Sequence, residues 1–219
     1  VKPTDFHLLK PKLSVKVGDK VKAGSVLFFD KSDERIKFCS PVSGEVIEIS
    51  RGEKRKVLEI VLIADSDISY EKFQTASADE ISREQIIDLM LKGGVWPFVR
   101  QRPYDIIANP SDLPKAIFIS TFNSTPLSID NDFALYGMDD LFQKGLDYIV
   151  KLTDGITHLN IDGNINSPLF MNAQNVQINK FSGPHPAGNV GVQIHHLDPI
   201  SQGESVWVLR PEDVCIIGN

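Results

Sequence analysis

Three of the five histidines fall in one stretch, FSGPHPAGNVGVQIHHLDP, from Phe181 to Pro199. Imidazole nitrogens at His185, His195 and His196 are of the type that binds a transition metal or moves a proton near neutral pH. If the segment is extended, the adjacent His195 and His196 point to opposite faces and do not share one ion. No carboxylate or thiol is spaced to join them. The plainer account is a loop whose Gly-Pro turns fix its shape, with histidines that pack or cap. The run Gly183 to Gly191 is rich in backbone N–H groups able to cradle an anion, but it contains neither G-x-G-x-x-G nor G-x-x-x-x-G-K-[ST]. A second stretch, STFNSTPLSID from Ser120 to Asp130, offers hydroxyls and an amide directly after a strand-like run. In open α/β sheets ligands lie beyond strand C-termini, so this loop also stands where a ligand would sit. The adjacent acids Asp139 and Asp140 open a helix-like run, where they complement the N-terminal dipole. Cys39 and Cys215 are far apart, each within an apolar run, and no CxxC or metal-ligand spacing occurs. Two buried, reduced thiols are expected. Neither a nucleophile elbow nor H-E-x-x-H is present.

The lysines raise a different chemistry. VKVGDKVKAGSVLFFDKSDERIKFCSPVSGEVIEI, residues 15–49, resembles the biotinyl/lipoyl carrier fold through Gly18-Asp19, Gly24, Leu27, Ser40-Pro41 and Gly44-Glu45-Val46. In that family the modified lysine occupies a hairpin tip ahead of the Ser-Pro. Aligned on Leu27 and Ser40-Pro41, the tip falls on Glu34. Lys31 comes too early, and Lys37 too late, inside the next strand. The methionine beside the lysine of biotin acceptors is also missing. The resemblance implies the shape of a carrier domain without its covalent arm.

These residues must be positioned by elements of ordinary globular composition. The 219 residues are 42% apolar and 24% charged, enough for one large or two small domains. A net charge of −6 with scattered Lys and Arg argues against nucleic acid as a partner. The one basic cluster, RGEKRK at Arg51–Lys56, reads as a solvated turn. No apolar run approaches the ~20 residues that cross a bilayer. Residues 1–66 read as β. LSVKVGD alternates, with Leu13, Val15 and Val17 on one face, and short strands follow at SVLFF, IKFCS, GEVIEIS and KVLEIVLIA, which suggests a small sandwich or barrel. Residues 67–114 read as one helix and a proline-rich connector. Ser82 and Gln85 form a capping box, Ile86, Ile87, Met90 and Leu91 recur at helical spacing, and Gly93-Gly94 supplies a stop. Pro97, Pro103, Pro110 and Pro114 then forbid a long helix. Residues 115–219 read as an α/β domain, cut short at its C-terminal side, with at least one parallel pair. Its strands are KAIFIST, HLNID and VQINKF, and its helix is Asp139 to Leu152 with Leu141, Phe142, Leu146, Ile149 and Val150 buried.

Taken in order, VGDKVKAGSVLFFDK, SPVSGEVIEI, RKVLEIVLIA, GGVWPFVRQRP, AIFIS, FSGPHPAGNVG and PEDVCIIG resemble the A subunits of the sodium-translocating NADH:quinone reductases over nearly the whole chain. More distantly they are similar to electron-transport complex C subunits and to the flavin-carrying NADH subunit of respiratory complex I. The resemblance implies an α+β chain: a barrel-sandwich hybrid domain, a helical connector and an α/β domain. It implies a peripheral subunit on the cytoplasmic face of the bacterial inner membrane, with the membrane subunits of the complex as partners. That complex oxidises NADH, uses flavins, reduces ubiquinone or menaquinone and exports sodium. The A subunit is expected to bind no flavin or iron–sulfur cluster of its own, in keeping with the missing cluster cysteines and the missing Ser/Thr-Gly-Ala-Thr flavin acceptor. Because family members are longer, the chain is expected to be an internal fragment, inactive by itself. Gly183, Pro184, His185, Pro186 and Gly188 are the candidate residues for quinone or for subunit contact. A carrier-like or small-ligand-binding module, and a metal-dependent enzyme built on the histidine loop, are the alternatives.

Overall fold

The computed structural model describes residues 1–73 and 77–219. Residues 74–76 of the expected connector lie outside the described residues. The chain divides into two compact units: Val1–Ala76 with Ile87–Pro97, and Ser77–Ile86 with Phe98–Asn219.

The first unit is built from six short strands: β1 (Pro11–Leu13), β2 (Lys20–Val21), β3 (Val26–Asp30), β4 (Lys37–Cys39), β5 (Gly44–Arg51) and β6 (Val57–Ala64). They form two three-stranded antiparallel sheets, β1-β3-β4 and β2-β5-β6. Alternation at Gly44–Glu48 buries Val46 and exposes Glu45, as a sheet with one wet face requires. Leu27, Phe28, Phe38, Val46 and Ile60 make the core, and Phe28 stacks on Phe38 with centroids 4.5 Å apart. One expectation fails. Val15 is half-buried like Leu13, but β1 stops at Leu13 and Val17 does not continue that face: it is exposed. The Asp19 carboxylate accepts from the Lys16 N–H, and Gly18 donates to the Val46 carbonyl, so a side-chain turn replaces the strand ladder.

Helix α1 (Arg83–Gly93) starts on the expected box: the Ser82 N–H donates to Gln85 Oε1 at 2.9 Å and the Gln85 N–H to Ser82 Oγ at 3.4 Å. Gly94, at φ +72°, follows its end, a conformation only glycine adopts without strain. The proline-rich stretch is not merely a connector. Arg100–Arg102 (β7) and Ile106–Ile107 (β8) pair with each other, and β7 pairs antiparallel with a strand far along the chain. Pro97 precedes this hairpin, Pro103 lies in its turn and Pro110 follows it. No position of β7 or β8 is a proline, so this hairpin loses no ladder donor.

The second unit carries a six-stranded sheet in the order β11-β10-β9-β12-β7-β8, with β9 (Ile117–Ser120), β10 (Thr157–Asp162), β11 (Gln177–Phe181) and β12 (Val206–Leu209) mutually parallel. The helices are α2 (Asn131–Ala134), α3 (Asp139–Ile149), α4 (Pro168–Met171), α5 (Val190–Leu197) and α6 (Pro211–Gly218). The chain steps from β9 to β10 to β11 in one direction, then returns past β9 to β12. Right-handed crossovers therefore put α3 and α5 on opposite faces. Ile194 of α5 packs on Ala116, Phe118, Val206 and Val208. On α3 the buried residues are Phe142, Gly145, Leu146, Tyr148 and Ile149, while Leu141 and Val150 are only half-buried. The buried stripe is rotated toward Gly145 because α6 lies against it. His195 and His196 sit in the last turn of α5 and are exposed, so the extended arrangement considered for them does not occur.

Candidate functional site

The loop after β9 and the loop after β11, separated by the whole of β10 and α3, are brought together at the C-terminal end of the parallel strands. Ser124 is the joint. Its Oγ accepts from the Gly188 N–H at 2.8 Å and lies 3.2 Å from His185 Nδ1. The Ser124 hydroxyl thus bridges the Gly188 backbone and the His185 ring. The approach is of backbone to backbone: a Cβ on Gly188 would stand 2.1 Å from the Ser124 nitrogen. Each loop is internally braced. Asn123 Oδ1 accepts from the Thr125 N–H and hydroxyl, and Asn131, buried, donates from Nδ2 to the Thr121 carbonyl at 2.8 Å.

A second brace runs from the sheet to the Gly183–Gly188 loop. Asn179 on β11 donates to Asn160 Oδ1 at 3.0 Å, Asn160 on β10 donates to Gln193 Oε1 at 2.9 Å, and Gln193 on α5 donates to the Ala187 carbonyl at 3.4 Å. Asn160 and Gln193 are wholly buried, so each polar atom needs its partner. Beside them the buried His158 stacks on Phe118 at 4.5 Å, and burial holds its imidazole below the usual histidine range, hence neutral. Sequence reasoning does not single these side chains out. The available signal is HLNID, where polar His158 and Asn160 alternate inside an otherwise apolar strand.

Next to the joined loops, between the ends of β9 and β10, opens a cleft of ≈ 230 Å³. Phe122, Ile129 and Phe170 give it apolar walls, while Thr121, Asn123 and Asp162 supply polar groups. Asn123 belongs to the cleft as well as to the braced loop. Gly183, Pro184, His185, Pro186 and Gly188 are not among its lining residues; Gly188 and His185 meet Ser124, the neighbour in sequence of the lining Asn123. The arrangement can accept a hydrogen-bonding, flat or chain-bearing ligand beside two loops joined through one hydroxyl. His195 and His196, at the far end of α5, do not join His185. Among the described residues, no three His, Cys, Asp or Glu side chains are placed to hold a metal ion. Cys39 and Cys215 are free thiols, and burial pushes the first up to about 11 and raises the second.

In the first unit, the hairpin between β3 and β4 turns at Glu34 and Arg35. Glu34 is exposed and pairs with Lys12 Nζ at 3.2 Å. Lys31 follows β3 directly, its N–H bonded to the Lys10 carbonyl, and Lys37 lies within β4 opposite Phe29. The outermost turn therefore presents a carboxylate. Expression with biotin and lipoate supplied should give an intact mass with no adduct; a stoichiometric mass increase mapped to Lys31 or Lys37 would reverse this reading.

Residues 1–65 match the family model described as the NqrA N-terminal barrel-sandwich hybrid domain, and residues 81–219 match the NqrA second alpha/beta domain. Among curated proteins, the chain is 37% identical over 218 residues to the A subunit of the Na(+)-translocating NADH-quinone reductase of Saccharophagus degradans, covering 98% of this chain and 48% of that protein. It is 37% identical over 219 residues to the protein of the same name from Alcanivorax borkumensis, covering 98% and 48%. With that from Photorhabdus laumondii it is 35% identical over 213 residues, covering 96% and 47%. The chain thus spans about half the length of the curated relatives it matches. Among the described residues no helix is long and apolar enough to cross a membrane.

Proposed function

The chain belongs to the family of A subunits of sodium-translocating NADH-quinone reductases, and from that premise we propose that it works as part of such a subunit, on the cytoplasmic face of the membrane. The subunit docks on the membrane subunits of a complex that passes electrons from NADH to quinone and moves sodium. The observation that carries this reading is the match of two successive family domains, in order, across nearly all of the chain. In this proposal the chain binds no flavin or iron–sulfur cluster itself, and the NADH, flavin and quinone chemistry belongs to the complex.

Its contribution to quinone binding is assigned to Gly183, Pro184, His185, Pro186 and Gly188 together with the cleft beside them. A quinone is an apolar ring with carbonyl oxygens that accept hydrogen bonds. The His185 imidazole, held by the Ser124 hydroxyl near a cleft walled by Phe122 and Phe170, offers a ring nitrogen and an apolar surface of the matching kind. The test uses the full-length protein in complex with its membrane partners. A photoreactive quinone analogue should label residues 183–188 or 120–130, and His185→Ala should reduce that labelling several-fold. Labelling confined to the membrane subunits would remove the quinone role and leave the docking role standing. A full-length subunit that never co-purifies with membrane subunits would remove the docking role. A flavin absorption band in the pure subunit would contradict the absence of its own cofactor.

A further inference from the structure

The segment between the joined loops and α3 displays its apolar side chains outward. Leu127, Ile129, Phe133, Tyr136 and Met138 have exposures of 105%, 58%, 83%, 87% and 38%. Scattered apolar residues on a surface need no explanation, but five within one short, ordered stretch do. The stretch is held by its other residues. Leu135 and Asn131 are buried, the Asp130 carboxylate accepts from the N–H groups of Asp132 and Phe133, and the Asp132 carboxylate accepts from the Ser167 hydroxyl. Inward anchors of this kind fix the direction of the aromatic rings of Phe133 and Tyr136, which project into water.

Charge selects the occupant. Residues 126–143, PLSIDNDFALYGMDDLFQ, contain Asp130, Asp132, Asp139 and Asp140 and no Lys, Arg or His. Among the described residues, none of these four acids forms an ion pair with a basic side chain. An apolar centre with an acidic rim repels an anionic lipid surface and repels a second copy of itself. It fits a protein segment with apolar side chains and a rim of Lys or Arg. Cytoplasmic loops next to membrane-spanning helices carry that composition, because Lys and Arg concentrate there. We propose that Leu127, Ile129, Phe133, Tyr136 and Met138 receive a Lys/Arg-bearing cytoplasmic segment of a membrane subunit. The proposal rests on the docking role assigned above and gives it an address: the rim of the cleft, since Ile129, Asp130 and Asp132 also line it.

The experiment places a photo-crosslinking phenylalanine analogue at position 133, and separately at 136, of the full-length subunit co-expressed with the membrane subunits of its complex. The expected product is a crosslink mapping within a short distance of a membrane-helix end, in a peptide containing Lys or Arg. Phe133→Ser combined with Tyr136→Ser should lower retention on affinity-tagged membrane subunits at least tenfold, and Asp139→Asn with Asp140→Asn should weaken the salt sensitivity of that retention. Both pairs are exposed, so the Phe133/Tyr136 variant should melt with the parent and the Asp139/Asp140 variant only slightly below it, by the lost attraction to the helix N-terminus; these melts serve as the folding control. Crosslinks to lipid, to a second copy, or to the subunit's own remaining sequence would overturn the proposal, as would an assembled complex with no crosslink from either position. In those cases the subunit is still retained, so the docking role survives. Loss of all retention by the unsubstituted subunit is the separate outcome that defeats the docking role.

Discussion

Gly145→Ala should destabilise the α/β unit even though alanine is the better helix former. At an open helical position the exchange gains up to ~1 kcal/mol, mostly by restricting the unfolded chain. Gly145 is not open. A Cβ there would stand 2.0 Å from the Val214 carbonyl oxygen and 2.9 Å from Val214 Cγ1. Neither distance is tolerable, and the nearer atom is backbone, so α6 must move away from α3 as a body. Gly218 presents the same geometry from the other side, its added Cβ lying 2.0 Å from the Leu141 carbonyl oxygen. The two helices therefore meet at glycines on both surfaces. Overpacking of this kind costs ~1–3 kcal/mol or more, and the buried Val214 and Cys215 would lose packing as α6 shifts. A net loss of about 2 kcal/mol predicts a melting temperature lower by about 4–8 °C for a domain of this size. Gly191 is the internal control: it lies in α5 with nothing within 4 Å of an added methyl, so Gly191→Ala should leave the melt unchanged or raise it. If Gly145→Ala melts with or above Gly191→Ala, the close approach of α3 and α6 is wrong.

Gly145 also shows where the sequence stops being legible. Along the chain it is a weak helix residue inside DDLFQKGLDYIVKL, and periodicity puts Leu141 and Val150 on the buried side. Only the partner helix, more than sixty residues later, explains why the stripe turns toward the glycine. Features set by near neighbours are legible. The capping box at Ser82, the apolar strand at Ile117–Ser120 and the helix after Asp139 each depend on residues within one turn or one strand of each other. Glu34 at the carrier-like turn is legible because the spacing from Leu27 to Ser40-Pro41 fixes the hairpin.

The candidate site lies at the other extreme. Ser124 and His185 are 61 residues apart and meet only because the chain runs out along β9, β10 and β11 before α5 returns over the sheet. Each loop can be nominated alone, one by its place after a strand and one by its glycines and prolines. Their pairing through one hydroxyl cannot. The Asn179, Asn160 and Gln193 brace is hidden for the same reason: an amide in a strand gives no sign of which helix will cover it. The proline-rich stretch misleads in the opposite sense. Its prolines exclude helix, and two short strands at one side of the sheet, β7 and the edge strand β8, satisfy that restriction as well as a connector does.

Asp213→Asn should stabilise the protein at neutral pH and do nothing in acid. Asp213 occupies the first turn of α6, where Oδ2 accepts from the Arg210 N–H at 3.1 Å. It is buried, and burial pushes its carboxyl from 3.8 up to about 6 against the opposing pull of that hydrogen bond, with Glu212 adding repulsion. The unfolded chain releases the proton near 3.8, whereas the folded chain keeps it until about pH 6. Below the lower value both states are protonated and the group costs nothing. Between the two values folding takes up a proton, so stability falls as pH rises, and above about 6 the loss is complete. At 1.36 kcal/mol per pK unit, the full loss is about 3 kcal/mol. Asparagine keeps an oxygen for the Arg210 N–H and has no charge to bury. It forfeits the attraction of a carboxylate for the helix N-terminus, ~0.3–1 kcal/mol. The variant should therefore exceed the parent by about 2 kcal/mol in denaturant unfolding at about pH 7.5, with the difference vanishing by about pH 3.5. A difference that stays constant across that range, or a variant less stable at the upper end of it, would mean that the Asp213 carboxylate is solvated or paired in the folded chain rather than buried at the start of α6.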